Sequence, residues 1–213
     1  MTADLRPIAF GALVALAASC ATSTPAVSPT PAPAPPTSAA ASTPDPGAPA
    51  GYVKLVVPPR VAGFRALERK TYPDPRDGVL VRYVSADSLS ADVFVYPGPD
   101  FATDCPLECA RGVIGREVDG FRSDFPELIR RDYVKEIAVV HDDTLAPPPG
   151  VPWRVGRHLL LTVRRADHPQ RSDFYLFYLP GYRVKIRSTF DETPQRRHEL
   201  EAFVPAVVAA FAR

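Results

Sequence analysis

The sequence predicts an α+β domain: a mostly antiparallel sheet of about six to eight strands packed with two main helices. Two observations predict it. Short runs rich in β-branched and aromatic residues, bounded by Pro/Gly turns, read as strands. Twice the apolar spacing switches from two to three and four, which is the period of one helical face. The resulting order is about four strands, one helix, about four strands and one helix, with turns short enough for antiparallel neighbours.

The elements follow in order. Residues 53–57 are a short apolar strand stopped by Pro58-Pro59, and 64–72 form a second. Pro73-Asp74-Pro75-Arg76-Asp77-Gly78 is a turn, with proline fixing φ and Gly78 allowing a positive one. Asp74 and Asp77 lack the further ligands of a calcium loop. Strands follow at 79–84 and 91–96, the latter ended by Pro97-Gly98-Pro99.

Leu107, Ala110, Ile114, Val118, Phe121 and Phe125 then mark a helix, with Pro106 at its first position and Pro126 ending or kinking it. Residues 133–140 resume as a strand, and His141-Asp142-Asp143 opens a loop that runs to Gly150. A long strand spans 153–164, and 166–172 form a turn. Strands 174–179 and 182–190 flank a tight Pro180-Gly181 hairpin. Thr193-Pro194 caps a last helix carrying Leu200, Phe203, Val204, Val207, Val208 and Phe211, kinked at Pro205.

Val61-Ala62-Gly63-Phe64 leading to Tyr72, the turn at Gly78, the strands ending in Tyr83 and Tyr96, and Val184-Lys185-Ile186-Arg187 before a terminal helix resemble the small PsbP-like bacterial proteins. The resemblance covers most of residues 52–213. It implies a non-catalytic exported or accessory protein and carries no functional residues, because that family shares no catalytic motif.

Three segments precede or make up this domain: a leader at 1–19, a linker at 20–50 and the globular part at 51–213. Residues 8–18 are apolar or small and uncharged, about eleven residues against the roughly twenty needed to span a bilayer. That length suits the core of a signal peptide. Leu16-Ala17-Ala18-Ser19-Cys20 resembles the bacterial lipobox, with two departures: Ala17 stands where Leu is usual, and Arg6 is the leader's only cation. The resemblance implies lipidation at Cys20, a palmitate-type anchor and attachment to a membrane. Ala21, where Asp favours inner-membrane retention in Gram-negative lipoproteins, implies an outer-membrane location facing the periplasm. Residues 21–50 hold nine prolines between Pro25 and Pro49, with Asp45 the one charge. Such a tract cannot bury enough apolar surface to fold, and proline keeps it extended as a stalk.

Composition is that of an ordinary globular chain, 46% hydrophobic and 23% charged. A net charge of +1 excludes the global field of a nucleic-acid binder. No nucleophile elbow, phosphate loop or zinc pair occurs. His198-Glu199-Leu200-Glu201-Ala202 has Ala202 where a zinc-protease helix needs its second histidine. No catalytic residue, metal or cofactor is expected.

The residues singled out are few. Cys105 and Cys109 are candidates for a disulfide, in a compartment where disulfides persist. Free thiols and a metal or redox site are the alternatives, and the spacing fits neither a zinc pair nor a redox motif. Arg183, Lys185 and Arg187 alternate with Val184, Ile186 and Ser188, so period two puts the cations on one face as a candidate anion-binding stripe or as a solvated one. His141-Asp142-Asp143 is the best polar cluster, although neighbours on a strand point to opposite faces. Trp153 suits core packing or a sugar-stacking platform. The function expected is a cell-envelope lipoprotein that binds or scaffolds an envelope protein or glycan without catalysis. The alternatives are a hydrolase with its site near His141, favoured by polar convergence there, and a carrier of small ligands or lipids, favoured by a large apolar cavity behind Phe121 and Phe203.

Overall fold

The computed structural model of the chain describes residues 57–97, 105–165 and 167–211. Cys20, the linker and most of the strand expected at 53–57 lie outside the described residues.

Eight strands form one sheet in the order β1-β2-β3-β4-β8-β7-β6-β5, with every neighbouring pair antiparallel. The first four are β1 (Arg60–Val61), β2 (Phe64–Thr71), β3 (Val79–Val84) and β4 (Ser90–Pro97). The last four are β5 (Glu136–Leu145), β6 (Val155–Arg164), β7 (Pro169–Leu179) and β8 (Tyr182–Phe190). The sheet is thus two meanders of opposite sense, joined at the β4–β8 seam. The helices are α1 (Leu107–Ser123), α2 (Phe125–Arg130) and α3 (Pro194–Phe211).

The helices lie on opposite faces of the sheet. Leu200, Phe203 and Val207 of α3 share a core with Val81, Val93 and Ile186. Ala110, Ile114 and Val118 of α1 share a second core with Leu159, Phe174 and Leu176. This layering explains the strand sequences. β3 reads VLVRYV and alternates buried with half-buried, because one of its faces meets a helix. β7 ends in FYLFYL and is buried almost without interruption, because Phe174, Leu176 and Tyr178 meet α1 while Phe177 and Leu179 meet α3. In the α3 layer the Phe203 ring packs 4.2 Å from Phe64 and 5.4 Å from Tyr83. In the other, Phe121 stacks on Phe174 at 4.3 Å. The fully buried phenylalanine rings among these, Phe64, Phe174 and Phe203, each contribute about 1.5–3 kcal/mol.

Several local expectations are corrected. Pro106 is the N-cap of α1 rather than its first residue. Pro126 does break the helix, yet a second short helix starts at once, with Pro126 in the first turn, where its missing N–H is harmless. Other expectations hold: α3 contains Pro205, which is exposed, and Thr193 caps its start, its Oγ1 accepting from the Arg196 amide at 3.2 Å. The turn expected at 166–172 is shorter, because β7 already pairs with β6 from Pro169. His141-Asp142-Asp143 is not a loop entry: β5 continues through it to Leu145. An edge strand needs only one apolar face, so its polar residues do not end it. A bulge between Val139 and His141 and the local charges protect that edge from pairing with other chains.

Candidate functional site

Cys105 and Cys109 are joined by a disulfide at the start of α1. Cys105 is buried, and its carbonyl accepts from Arg154 at 3.0 Å. The ring closed is tiny, so its entropic contribution is small. Replacing both cysteines with serine is expected to lower unfolding free energy by about 2 kcal/mol or less. A chemical-denaturation curve checks this through its midpoint at unchanged slope.

Arg183, Lys185 and Arg187 lie on the same face of β8, the face that α1 covers in part. Glu117 of α1 reaches over this stripe. Its carboxylate accepts from Arg183 at 2.7 Å and from the Tyr96 hydroxyl, and lies 3.7 Å from Lys185 Nζ. Arg183 also stacks over Tyr96 at 4.4 Å. Lys185 sits over Phe94 at 4.9 Å, and burial pushes its pKa down. The first two cations are therefore balanced from within the fold. Arg187 differs: its surface is exposed although burial of its surroundings pushes its pKa down, it lies 5.3 Å over Phe121, and it has no ion pair among the described residues. Across the strands it ends a row of alternating charge, Glu68-Arg82-Asp92-Arg187, in which Arg82 holds Asp92 with two bonds at 2.7 and 3.1 Å.

His141-Asp142-Asp143 splits between the two faces. Asp142 points to the α1 side and accepts from both Arg122 and Arg157. The hydrogen bond from Arg157 dominates, and Asp142 stays below the usual carboxylate range despite its partial burial. His141 and Asp143 point the other way and are exposed. Among the described residues His141 itself makes no hydrogen bond or ion pair, although it shares the α3 side with Asp143 and His158.

The polar convergence on the α3 side centres on His158, which sequence reasoning missed. Its Nε2 lies 2.8 Å from Asp173 Oδ1, where an N–H donates to the carboxylate. Asp173 is fully buried and also accepts from Arg171 at 2.6 and 3.1 Å. Arg171 in turn donates to Glu192 at 2.9 Å, which also pairs with Arg197. The His158 ring stacks on Tyr175 at 4.1 Å; Tyr175 faces Phe177 at 6.3 Å, and Phe177 meets Trp153 edge-on at 5.2 Å. Burial pushes the Tyr175 hydroxyl pKa well up. The signal available was an ionisable residue at the border of each strand's apolar run, His158 before Leu159-Leu160-Leu161 and Asp173 before Phe174-Tyr175-Leu176. Such residues need each other to be buried.

Trp153 is half-buried and lines an apolar pocket of about 250 Å³ with Leu145, Pro148, Phe177, Val204 and Val208. The loop before β6 forms one wall and α3 the other. A cavity behind both Phe121 and Phe203 is ruled out by the layering, since the two rings lie on opposite faces of the sheet. Among the described residues no group of three or more His, Cys, Asp or Glu is placed to hold a metal ion, and no helix is long and apolar enough to cross a membrane.

No protein-family model matches the chain, and no curated protein is similar to it. Among solved structures, it is similar to the solution structure of cyanobacterial PsbP (CyanoP) from Synechocystis sp. PCC 6803, at 13% identity and a TM-score of 0.42, covering 70% of this chain and 85% of that one. No residue, ligand or partner passes from that protein to this one.

Proposed function

We propose that this chain is a cell-envelope lipoprotein whose domain binds or scaffolds another envelope component without catalysis. A lipid on Cys20 tethers it, and the proline-rich segment holds it off the membrane. The observation that carries the binding reading is the internal pairing of its inward carboxylates. Asp142 is engaged by two arginines, Glu117 by Arg183, Lys185 and Tyr96, and Asp173 by Arg171 and His158. A general base needs a lone pair facing the substrate, and these face their own cations. Arg187 remains free to meet an acidic group on a protein or glycan. Unlike a solvated charge, it is backed by the Phe121 ring and by the balanced remainder of its stripe.

Growth with labelled palmitate tests the anchor. Wild type is expected to be labelled and to sediment with membranes, and Cys20→Ala to be unlabelled and free of them. An unlabelled wild-type chain sinks the lipoprotein reading. A photo-crosslinker placed at the exposed position 68, in the same cross-strand row, is expected to give one discrete adduct in whole cells, which Arg187→Glu weakens. A crosslinking ladder without discrete species counts against a partner on that face. A second reading, a carrier of small apolar molecules, is favoured by the pocket at Trp153.

A further inference from the structure

The apolar pocket and the His158 row occupy neighbouring positions in one groove between α3 and the sheet. Leu145, Gly156 and Phe177 are cross-strand partners on β5, β6 and β7, and they form or flank the pocket floor. Gly156 keeps that floor low: a Cβ there would meet Phe177 at 2.9 Å and Leu145 at 3.3 Å. Two residues along each strand, about 6.8 Å away, the same face carries Asp143, His158 and Tyr175, again as cross-strand partners. Above them α3 repeats the change. Val204, Pro205 and Val208 line the pocket, while Glu201, one turn earlier and close enough to act on the Tyr175 hydroxyl, overhangs the polar row.

The charges of that polar row are unequal. The cations nearby are committed: Arg157, which also feels Asp143, to Asp142 and Thr144, Arg171 to Asp173 and Glu192, Arg197 to Glu192, and His158 to Asp173. Asp143 and Glu201 are exposed, and neither has a hydrogen bond or ion pair among the described residues. One end of the groove is therefore apolar and aromatic, and the adjoining end presents two unpaired carboxylates.

We propose that this groove binds a small amphipathic cation: an aromatic or branched aliphatic primary amine. Its apolar body sits against Trp153 and Phe177, and its ammonium lies between Asp143 and Glu201. Size supports the assignment, since an apolar space of about 150 Å³ already holds a benzene ring. Charge decides the class. A carboxylate ligand of the same shape would bring a third negative charge to a rim whose cations are already engaged.

Trp153 is the chain's single tryptophan, so its fluorescence reports the pocket directly. The full chain is titrated with 2-phenylethylamine, 2-phenylethanol and phenylacetate. The expected result is a saturable change with the amine, binding at least tenfold tighter than the acid and falling with added salt. Asp143→Asn with Glu201→Gln is expected to weaken amine binding about tenfold, to the level of the alcohol. Ala209→Phe, at an exposed position on the pocket wall, is expected to weaken amine and alcohol alike while leaving the circular dichroism spectrum unchanged. No saturable change with any probe overturns the proposal. So does equal affinity for amine and acid, or discrimination that survives in the double variant. None of these outcomes bears on the anchor at Cys20 or the partner at Arg187.

Discussion

Gly78→Ala is expected to lower unfolding free energy by about 4 kcal/mol or more, enough to leave a marginal domain unfolded. Gly63→Ala, also at positive φ, is expected to lower it by only about 1 kcal/mol. The two glycines share a backbone conformation, φ +69° and +84°, that a side chain disfavours. They differ in surroundings. A Cβ at Gly63 meets nothing within 4 Å. A Cβ at Gly78 would lie 2.0 Å from the Val95 carbonyl oxygen and 2.6 Å from Tyr96 Cα. Both atoms are backbone, so no rotamer relieves the overlap. They belong to β4, where Val95 and Tyr96 pair with Val184 and Arg183 across the seam that joins the two meanders. The Gly78 carbonyl accepts from the Tyr72 amide at 3.1 Å, so the turn cannot easily move instead. Displacing Tyr96 would also disturb Glu117 and the cation stripe. Parallel denaturant titrations of the two variants measure the difference, and equal losses would mean that the close approach at Gly78 is unimportant.

That turn was legible because its information is local. Asp74, Gly78 and the Pro180-Gly181 hairpin declare themselves in consecutive residues, and the alternation in β3 and β8 places side chains on faces without knowledge of the partner strand. The common face of Arg183, Lys185 and Arg187 followed from that period alone. What the period does not contain is the neighbour. Glu117, which balances two of those cations, is 66 residues from Arg183; its only local mark is a carboxylate flanking an apolar helical stripe, between Ile114 and Phe121. The extents of β5 and β7 were misjudged for a related reason. A hairpin arm runs as far as its partner offers hydrogen bonds, and β6 offers them from Val155 to Arg164 whatever the polarity opposite. The two-sided layering had one sequence trace, the unbroken apolar run of β7, which marks a strand covered on both faces. His141 drew attention as part of a polar triplet, whereas His158, with one polar neighbour, holds the buried carboxylate. Burial gives a polar residue its significance, and burial is a property of the assembled layers.

Asp173→Ala is expected to lower stability at neutral pH by about 3 kcal/mol, because it strands Arg171 and His158 against a buried site. The pH dependence separates this from a simple packing defect. Burial of Asp173 raises its carboxyl pKa, but hydrogen bonds from His158 and Arg171 outweigh that and leave it below the usual value of 3.8. A carboxylate with a depressed folded pKa contributes stability above its unfolded value and loses it as pH falls through the folded one. The gap between wild type and Asp173→Ala should therefore be full above about pH 5 and narrow steadily on acidification below pH 4. A packing defect would give a gap independent of pH. Asp74 supplies the contrast. Hydrogen bonds from Arg76 hold its carboxyl at about 2, yet the pair sits on an exposed turn where water screens it. Asp74→Asn is expected to leave the unfolding midpoint unchanged at neutral pH. The large loss and its acid dependence should appear at Asp173 and not at Asp74 because the Asp173 carboxylate is withdrawn from water, and a pH-independent gap would show that the ion pair is not what holds these two strands.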